Sequence, residues 1–424
     1  MVYCVEFNSR SVKSIFRNYI WKIVFVVAVV VYVLIDADRV CDMNIFLSAA
    51  TDILDQKNIY TTVYQTWLYY YYSPIFAVLL IPFTYLSEYW VNVFWLLLNV
   101  GLVFRVGQLL KGYLPESTVP AKWQRLILIL SIVFVFRFIF DNLHFHQLTI
   151  FILWISLEGL YSIKKGNKIK GGLLLAIGIN IKLLPLVLIP YLLYRGEFRS
   201  FISIVMCSVV LLYLPVIFLG YEYNQLLLDG WWGNINPLEQ QHILDFAHAG
   251  IPALITAIFH LDVLQQSPLF LNQLNEKEIG WIINTLRVVL IGFTFFFLRT
   301  RPFKRTSNLH QLWELGYLFL VIPLIFPHQQ NYSLLMLWPA VIYLVYYFYQ
   351  KHGTYRARDK RLLVVFALCF LAFNAGLYLG HFREFYNGIK LVTIANLLFI
   401  IPYSLCTPLE LAERRNPSDV HSGN

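Results

Sequence analysis

Apolar runs of roughly membrane-crossing length recur from one end of this chain to the other, most of them separated by short polar connections. A bilayer core of about 30 Å takes about 20 helical residues to cross, and in lipid a spanning segment must satisfy its own backbone. The pattern predicts an all-α polytopic membrane protein, one integral membrane domain over 1–424 with about twelve spans using about 240 residues. Composition agrees: 58% of residues are hydrophobic and 13% charged, against roughly 45–50% and about 25% in soluble domains. An ordinary soluble enzyme is excluded. What remains allows two sizeable loops and no separate soluble domain.

The 33 Lys and Arg against 24 Asp and Glu leave a net charge of +9. In a membrane protein such an excess collects in cytoplasmic loops and sets orientation, so it implies membrane lipids and no nucleic acid as partner. Basic clusters precede the first run (Arg10, Lys13, Arg17, Lys22) and fall at Arg195/Arg199, Arg299/Arg301/Lys304/Arg305 and Lys351/Arg356/Arg358/Lys360/Arg361. With all four inside, 36–73 and 220–280 become two extracytoplasmic loop regions, the first with an interfacial helix. Spans then fall at 21–35, 74–86, 90–110, 126–140, 147–163, 171–194, 201–219, 281–298, 311–326, 333–349, 362–379 and 391–406. This map leaves Lys111, Lys122, Arg125 and the basic 164–170 stretch outside. A second map splits 171–194 at Pro185 and fuses an earlier pair. Pro82, Pro185, Pro190, Pro215, Pro323 and Pro339 lie within or at the ends of spans, which suits a bundle around a cavity. Five cysteines show neither paired nor metal-ligand spacing, so no disulfide framework or zinc site is expected.

Chemistry-bearing residues concentrate in a few segments. Asp36, Asp38 and Asp42 place three carboxylates directly after the first span, followed by Ile45, Ala49 and Leu54 on one face of a short helix. They read either as solvated acids at headgroup level or as a carboxylate beside apolar surface able to deprotonate an acceptor hydroxyl. The run from Trp67 through Tyr72 is either an interfacial anchor or a set of ring faces for a sugar. His144, His146 and Gln147 form a polar island between two runs. Lys182 stands in an apolar run with no neighbouring acid, suited to holding a phosphate or else snorkelling. Arg105, Arg137 and Arg287 lie nearer span ends, where snorkelling accounts for them. In the second loop, Trp232 with Asn234, Glu239, His242, Asp245 and His248 has the mixture used in carbohydrate contact, and equally that of an ordered loop. His328, Asn331 and Tyr332 occupy a turn between two runs, where His328 is suited to orienting a carboxylate or phosphate or to capping a helix.

In their order, Asp42-Met43-Asn44-Ile45-Phe46, Asn58-Ile59-Tyr60, Tyr72-Ser73-Pro74, Leu96-Leu97-Leu98-Asn99, Gln147, Lys182 three residues before Pro185, and Pro327 and Pro339 around a polar turn make the chain resemble glycosyltransferase family 87. That family includes polyprenol-phosphate-mannose-dependent mannosyltransferases. The resemblance implies a GT-C-like bundle, a polyprenyl-phosphate-linked sugar donor, a lipid or glycan acceptor, inversion at the anomeric carbon, and an active site on the extracytoplasmic side of the inner (plasma) membrane. It implies Asp42 as catalytic base; His328, one residue after Pro327 and outside the family's own histidine positions, is a second catalytic candidate from its place in the turn. Lys182, Tyr72, Gln147, His146, Asp38, Trp232, Asn331 and Tyr332 are the expected substrate-binding residues. Ser73 stands where the family has a proline, His146 and Thr149 where it has Gly and Asn, and Tyr332 and Ser333 where it has two histidines. The scheme calls for no cofactor and no metal.

Two rivals belong beside it. A lipid-linked sugar transporter or flippase also carries an intramembrane lysine and proline-broken helices, though usually with paired halves, and no repeat is visible here. An O-antigen polymerase or ligase would carry arginine pairs in a large outer loop; the second loop holds only Lys277 among Lys and Arg.

Overall fold

The computed structural model describes residues 9–65, 68–115, 119–236, 244–245, 247, 249–260, 267–298, 301–304 and 306–413. Among these residues every regular element is helical, apart from isolated bridges at Tyr64–Leu68 and Ala249–Gln329. In chain order the helices are α1 (Ser9–Asp36), α2 (Asp42–Leu54), α3 (Pro74–Leu80), α4 (Glu88–Lys111), α5 (Ala121–His144), α6 (Thr149–Lys164), α7 (Lys168–Ile181), α8 (Leu188–Tyr194), α9 (Phe198–Tyr213), α10 (Val216–Leu219), α11 (Tyr221–Ile235), α12 (Ile251–Phe259), α13 (Glu276–Phe297), α14 (Asn308–Ile325), α15 (Trp338–Lys351), α16 (Ala357–Asn374), α17 (Arg383–Gly388) and α18 (Leu391–Leu405), with a short α19 (Pro408–Glu413).

Among the described residues six helical stretches are long and apolar enough to cross a membrane: Glu88–Lys111, Ala121–His144, Phe198–Leu219, Glu276–Phe297, Asn331–Lys351 and Ala357–Leu377. A seventh arises if Gly380–Gly388 and Leu391–Leu405, which meet at 67°, count as one broken span. The protein is a multi-pass membrane protein. Burial sorts the stretches: Asn331–Lys351 is 83% buried, whereas Phe198–Leu219 and Glu276–Phe297 are each 11% buried. The first is the axis of the bundle, and α9 and α13 turn most of their surface to lipid. Nearly every side chain of α14 is buried as well, the mark of a helix enclosed on all sides.

Two expected spans are shorter than drawn. The 74–86 run forms the 7-residue α3 and a 3₁₀ turn over Ile81–Tyr85, because Pro82 removes a backbone donor soon after the helix begins. The 171–194 run breaks between α7 and α8, as the second map has it. Leu184–Val187 is a 3₁₀ turn containing Pro185, and Lys182 just before it is extended (φ −147°, ψ 121°). Glycines seat α7 closely against α6: a Cβ at Gly159 would meet Leu175 at 2.8 Å and the Gly171 carbonyl at 3.1 Å. Small residues of this kind let membrane helices approach closely, and the packing fixes where Lys182 emerges.

Helix α2 lies where the interfacial helix is expected. Its buried face is Met43, Ile45, Phe46, Leu47, Ala49, Ala50 and Ile53, and Leu54 points outward instead. The snorkelling account fails for Arg137, which is 1% exposed. It donates to the Phe373 carbonyl at 2.8 Å and the Tyr386 hydroxyl at 2.6 Å, with Asp141 at 3.5 Å. Arg105 pairs with Glu158 at 2.8 Å, and Arg287 donates to the Ile325 carbonyl at 2.8 Å. For Arg137 the apolar setting makes a fixed partner worth more than reaching for the surface.

Candidate functional site

Asp42 is the first residue of α2, where a carboxylate complements the helix N-terminus. The side-chain amide of Gln147, in the turn between α5 and α6, donates to Asp42 Oδ2. Burial raises the Asp42 carboxyl above its ordinary value, and the Gln147 hydrogen bond and the Lys182 charge pull it down. The acid is thereby more basic than a solvated aspartate, and its orientation is held from one side.

Lys182 comes to the same place from the break after α7. Its Nζ lies 5.7 Å from the centre of the Tyr72 ring and 5.8 Å from that of Tyr332, a cation between two aromatic rings. Asp42 and Lys182 act on one another electrostatically, but among the described residues no ion pair joins them. Tyr72 is held by a ring cluster, with Phe46 at 4.9 Å, Phe76 at 5.6 Å and Tyr70 at 5.7 Å. The Tyr60 hydroxyl donates to its carbonyl at 2.7 Å. Tyr332 is anchored through its carbonyl, which accepts from Asn142 Nδ2 at 2.9 Å. Ser73 Oγ, Gln147 Oε1 and Asn331 Oδ1 are buried without a hydrogen-bond partner among the described residues. Such groups are costly to leave unpaired, and these belong to the segments that carry Tyr72, Asp42's partner and Tyr332.

A second polar group adjoins through the tyrosine run. Tyr72 turns into the ring cluster, while its neighbour Tyr71 stacks on His328 with ring centres 5.8 Å apart. The His328 backbone N–H donates to Asp245 Oδ2 at 2.7 Å, and its Nδ1 lies 3.7 Å from Asp245 Oδ1. His328 takes a left-handed backbone, φ 56°, and Asp245 is 1% exposed. The Asp245 charge also acts on Arg287 and Lys390.

The structure brings together Asp42, Gln147, Lys182, Tyr72 and Tyr332, with Asn331 beside Tyr332. His328 belongs to the adjoining Asp245 group. His146 does not point into this centre: it is fully buried against Cys41 and Asp36. Asp38 is exposed in the turn after α1. Trp232 is 61% exposed on α11, and its neighbour Trp231 is the buried one. Helix α11 packs on the first loop: Asn234 Nδ2 lies 3.4 Å from the Tyr60 carbonyl, and the Tyr223 hydroxyl donates to the Lys57 carbonyl at 2.6 Å. Trp67, Glu239, His242 and His248 lie outside the described residues. Sequence reasoning did not pair Asp245 with His328, and nothing short of tertiary structure joins residues so far apart. It also passed over Cys41, whose adjacency to Asp42 was the available signal. Among the described residues no group of three or more His, Cys, Asp or Glu side chains is arranged to hold a metal ion.

Comparison with known families matches residues 70–327 to glycosyltransferase family 87. That stretch spans Tyr72, Gln147 and Lys182, and ends one residue before His328. No curated protein sequence matches the chain.

Proposed function

The chain belongs to glycosyltransferase family 87, and from that footing we propose that it moves a hexose or pentose, mannose among them, from a polyprenyl-phosphate donor to a hydroxyl of a lipid or glycan acceptor. In this reading the bundle is of GT-C type with about twelve spans, the short broken helices counted with the long ones. It sits in the inner (plasma) membrane with 36–73 and 220–280 on the extracytoplasmic side.

Asp42 takes the proton from the acceptor hydroxyl as that oxygen attacks the anomeric carbon. The bond from that carbon to the phosphate oxygen breaks on the opposite face, so configuration inverts, and polyprenyl phosphate departs with the electron pair. Lys182 neutralises the charge that grows on the phosphate, which it can do because no carboxylate among the described residues is paired with it. Tyr72 and Tyr332 flank the lysine and offer ring faces to the sugar. Gln147 holds one Asp42 oxygen, and Asn331 contributes an open acceptor. His328, set by Asp245, serves as the second catalytic candidate at the adjoining group. Trp232 and Asp38, both exposed, fall to the acceptor at the mouth.

The observation that carries this reading is the meeting of an acid and a lysine from segments remote in sequence, with no ion pair between them among the described residues and the lysine over two tyrosine rings. The test is transfer by the detergent-purified protein from a panel of polyprenyl-phosphate hexoses and pentoses to a membrane lipid extract, with product configuration read by NMR. An inverted glycoside from one donor is the expected result. Donor movement across proteoliposomes without any glycoside would favour the transporter rival and sink the proposal.

A further inference from the structure

Two consecutive residues at the start of α2 are stitched to two consecutive residues of the turn between α5 and α6. Asp42 receives the amide of Gln147, and immediately before it Cys41 Sγ lies 2.7 Å from His146 Nδ1. We propose that Cys41 and His146 are positioning residues for the general base: their contact locks the junction on which the Asp42–Gln147 bond depends. The proposal rests on the transferase reading above and adds to it how the base is aimed.

The pair is built for this. Both residues are buried, Cys41 at 7% exposure and His146 at 0%. Cys41 is the extended residue that precedes the helix, and its N–H donates to Asn44 Oδ1 at 2.9 Å, so its backbone orientation is already set. Its carbonyl accepts from Gln65 Nε2 at 3.2 Å. His146 takes a left-handed backbone, φ 49°, which a residue other than glycine holds only when its surroundings impose it. Its carbonyl accepts from Trp95 Nε1 at 3.1 Å. On the far side of the imidazole, Nε2 faces Asp36 Oδ2 at 3.7 Å. A carboxylate on that side favours the proton on Nε2, which leaves Nδ1 as the acceptor of the thiol hydrogen.

The protonation states agree. Burial lowers the His146 imidazole to about 4, against the pull of Asp36 and with help from His144 and Arg39. Burial likewise pushes the Cys41 thiol up to about 12, with the Asp42 and Asp36 charges adding to the rise. At neutral pH the contact is therefore a neutral thiol donating to a neutral imidazole. In this proposal both residues act through Asp42 and Gln147 and not on the reacting atoms. Misplacement of a reacting group by about 1 Å costs up to about 100-fold in rate, so losing the contact is expected to act on turnover more than on donor binding.

The test compares Cys41→Ser, Cys41→Ala and Cys41→Val with the parent protein, using the donor turned over in the panel above. Serine keeps a donor to Nδ1, and valine keeps volume without one. Alanine and valine are expected to lower kcat about 10- to 100-fold at unchanged donor KM, with serine restoring kcat to within about threefold of the parent. Hydrogen exchange over 41–46 and 145–149 reads the clamp without turnover, and is expected to be faster in the alanine and valine proteins than in the parent and serine proteins. Parent-like kcat and exchange in the valine protein would overturn the proposal, as would equal losses in serine and valine. Asp42→Asn run in parallel separates the two ideas. If it is inactive while Cys41→Val is fully active, only the clamp fails; if it retains full turnover, the base assignment fails.

Discussion

Two regions of this molecule set an acid and a cation together in apolar surroundings, and they resolve the charge in opposite ways. Glu314 on α14 is fully buried and fully engaged: Arg195 bonds one carboxylate oxygen, His310 approaches the same oxygen at 3.1 Å, and the Tyr191 hydroxyl donates to the other at 3.1 Å. Arg195 also donates to the Lys304 carbonyl at 3.1 Å. Asp42 and Lys182, by contrast, sense one another with no ion pair among the described residues, and the lysine rests between rings. A satisfied ion pair stabilises a junction and has nothing left to offer a ligand. An unsatisfied one is costly in the free protein and available to a proton or a phosphate.

The comparison breaks most visibly at Glu314. Glu314→Gln leaves Arg195 buried without its counter-charge, and losing one partner of a buried pair costs about 3–5 kcal/mol. A clear drop in the unfolding midpoint in detergent is expected, while kcat per folded molecule stays near that of the parent. Lys182→Met should do the reverse. The unfolding midpoint holds or rises, and the donor KM increases roughly 10- to 100-fold, the worth of a charged hydrogen bond of about 1.5–3 kcal/mol; unchanged donor affinity would remove Lys182 from the site. A finer probe is Gln147→Leu. The amide lowers the Asp42 carboxyl, so its loss raises that group further. The base works only when deprotonated, and the acid limb of the kcat/KM profile therefore moves to higher pH. A limb that stays put would mean that Asp42 does not set it. The smallest effect is expected at Asp38, exposed after α1 and assigned above to the acceptor at the mouth: Asp38→Asn should leave kcat and donor KM within about twofold of the parent, as surface changes usually do, and act only on acceptor KM.

How much of this was legible in the sequence follows from the same contrast. Helix α2, the broken run at Lys182 and the acid at its head are local features, marked by apolar spacing, by Pro185 and by a carboxylate directly after a span. Lys182 was conspicuous because local sequence offers it no acid. Which of Asp36, Asp38 and Asp42 faces the centre was not decidable from spacing, since all three sit within seven residues and only tertiary packing buries one against His146 and another against Gln147. His146 illustrates the limit: a histidine beside the centre in sequence turns its ring away from it, toward Cys41. The Asp245–His328 pair and the buried anchoring of Arg137 join segments far apart in the chain, which no periodicity encodes. Which other apolar runs form short, broken helices was likewise not legible, because hydropathy does not distinguish a full span from a short, proline-broken helix packed inside the bundle.

The most direct measurement is single-turnover transfer by Asp42→Asn protein saturated with donor, alongside its equilibrium donor affinity. The account predicts donor binding within a few-fold of the parent and a transfer rate lower by about 10²- to 10⁴-fold, the usual share of a general base. Transfer at the parental rate with donor bound would contradict it.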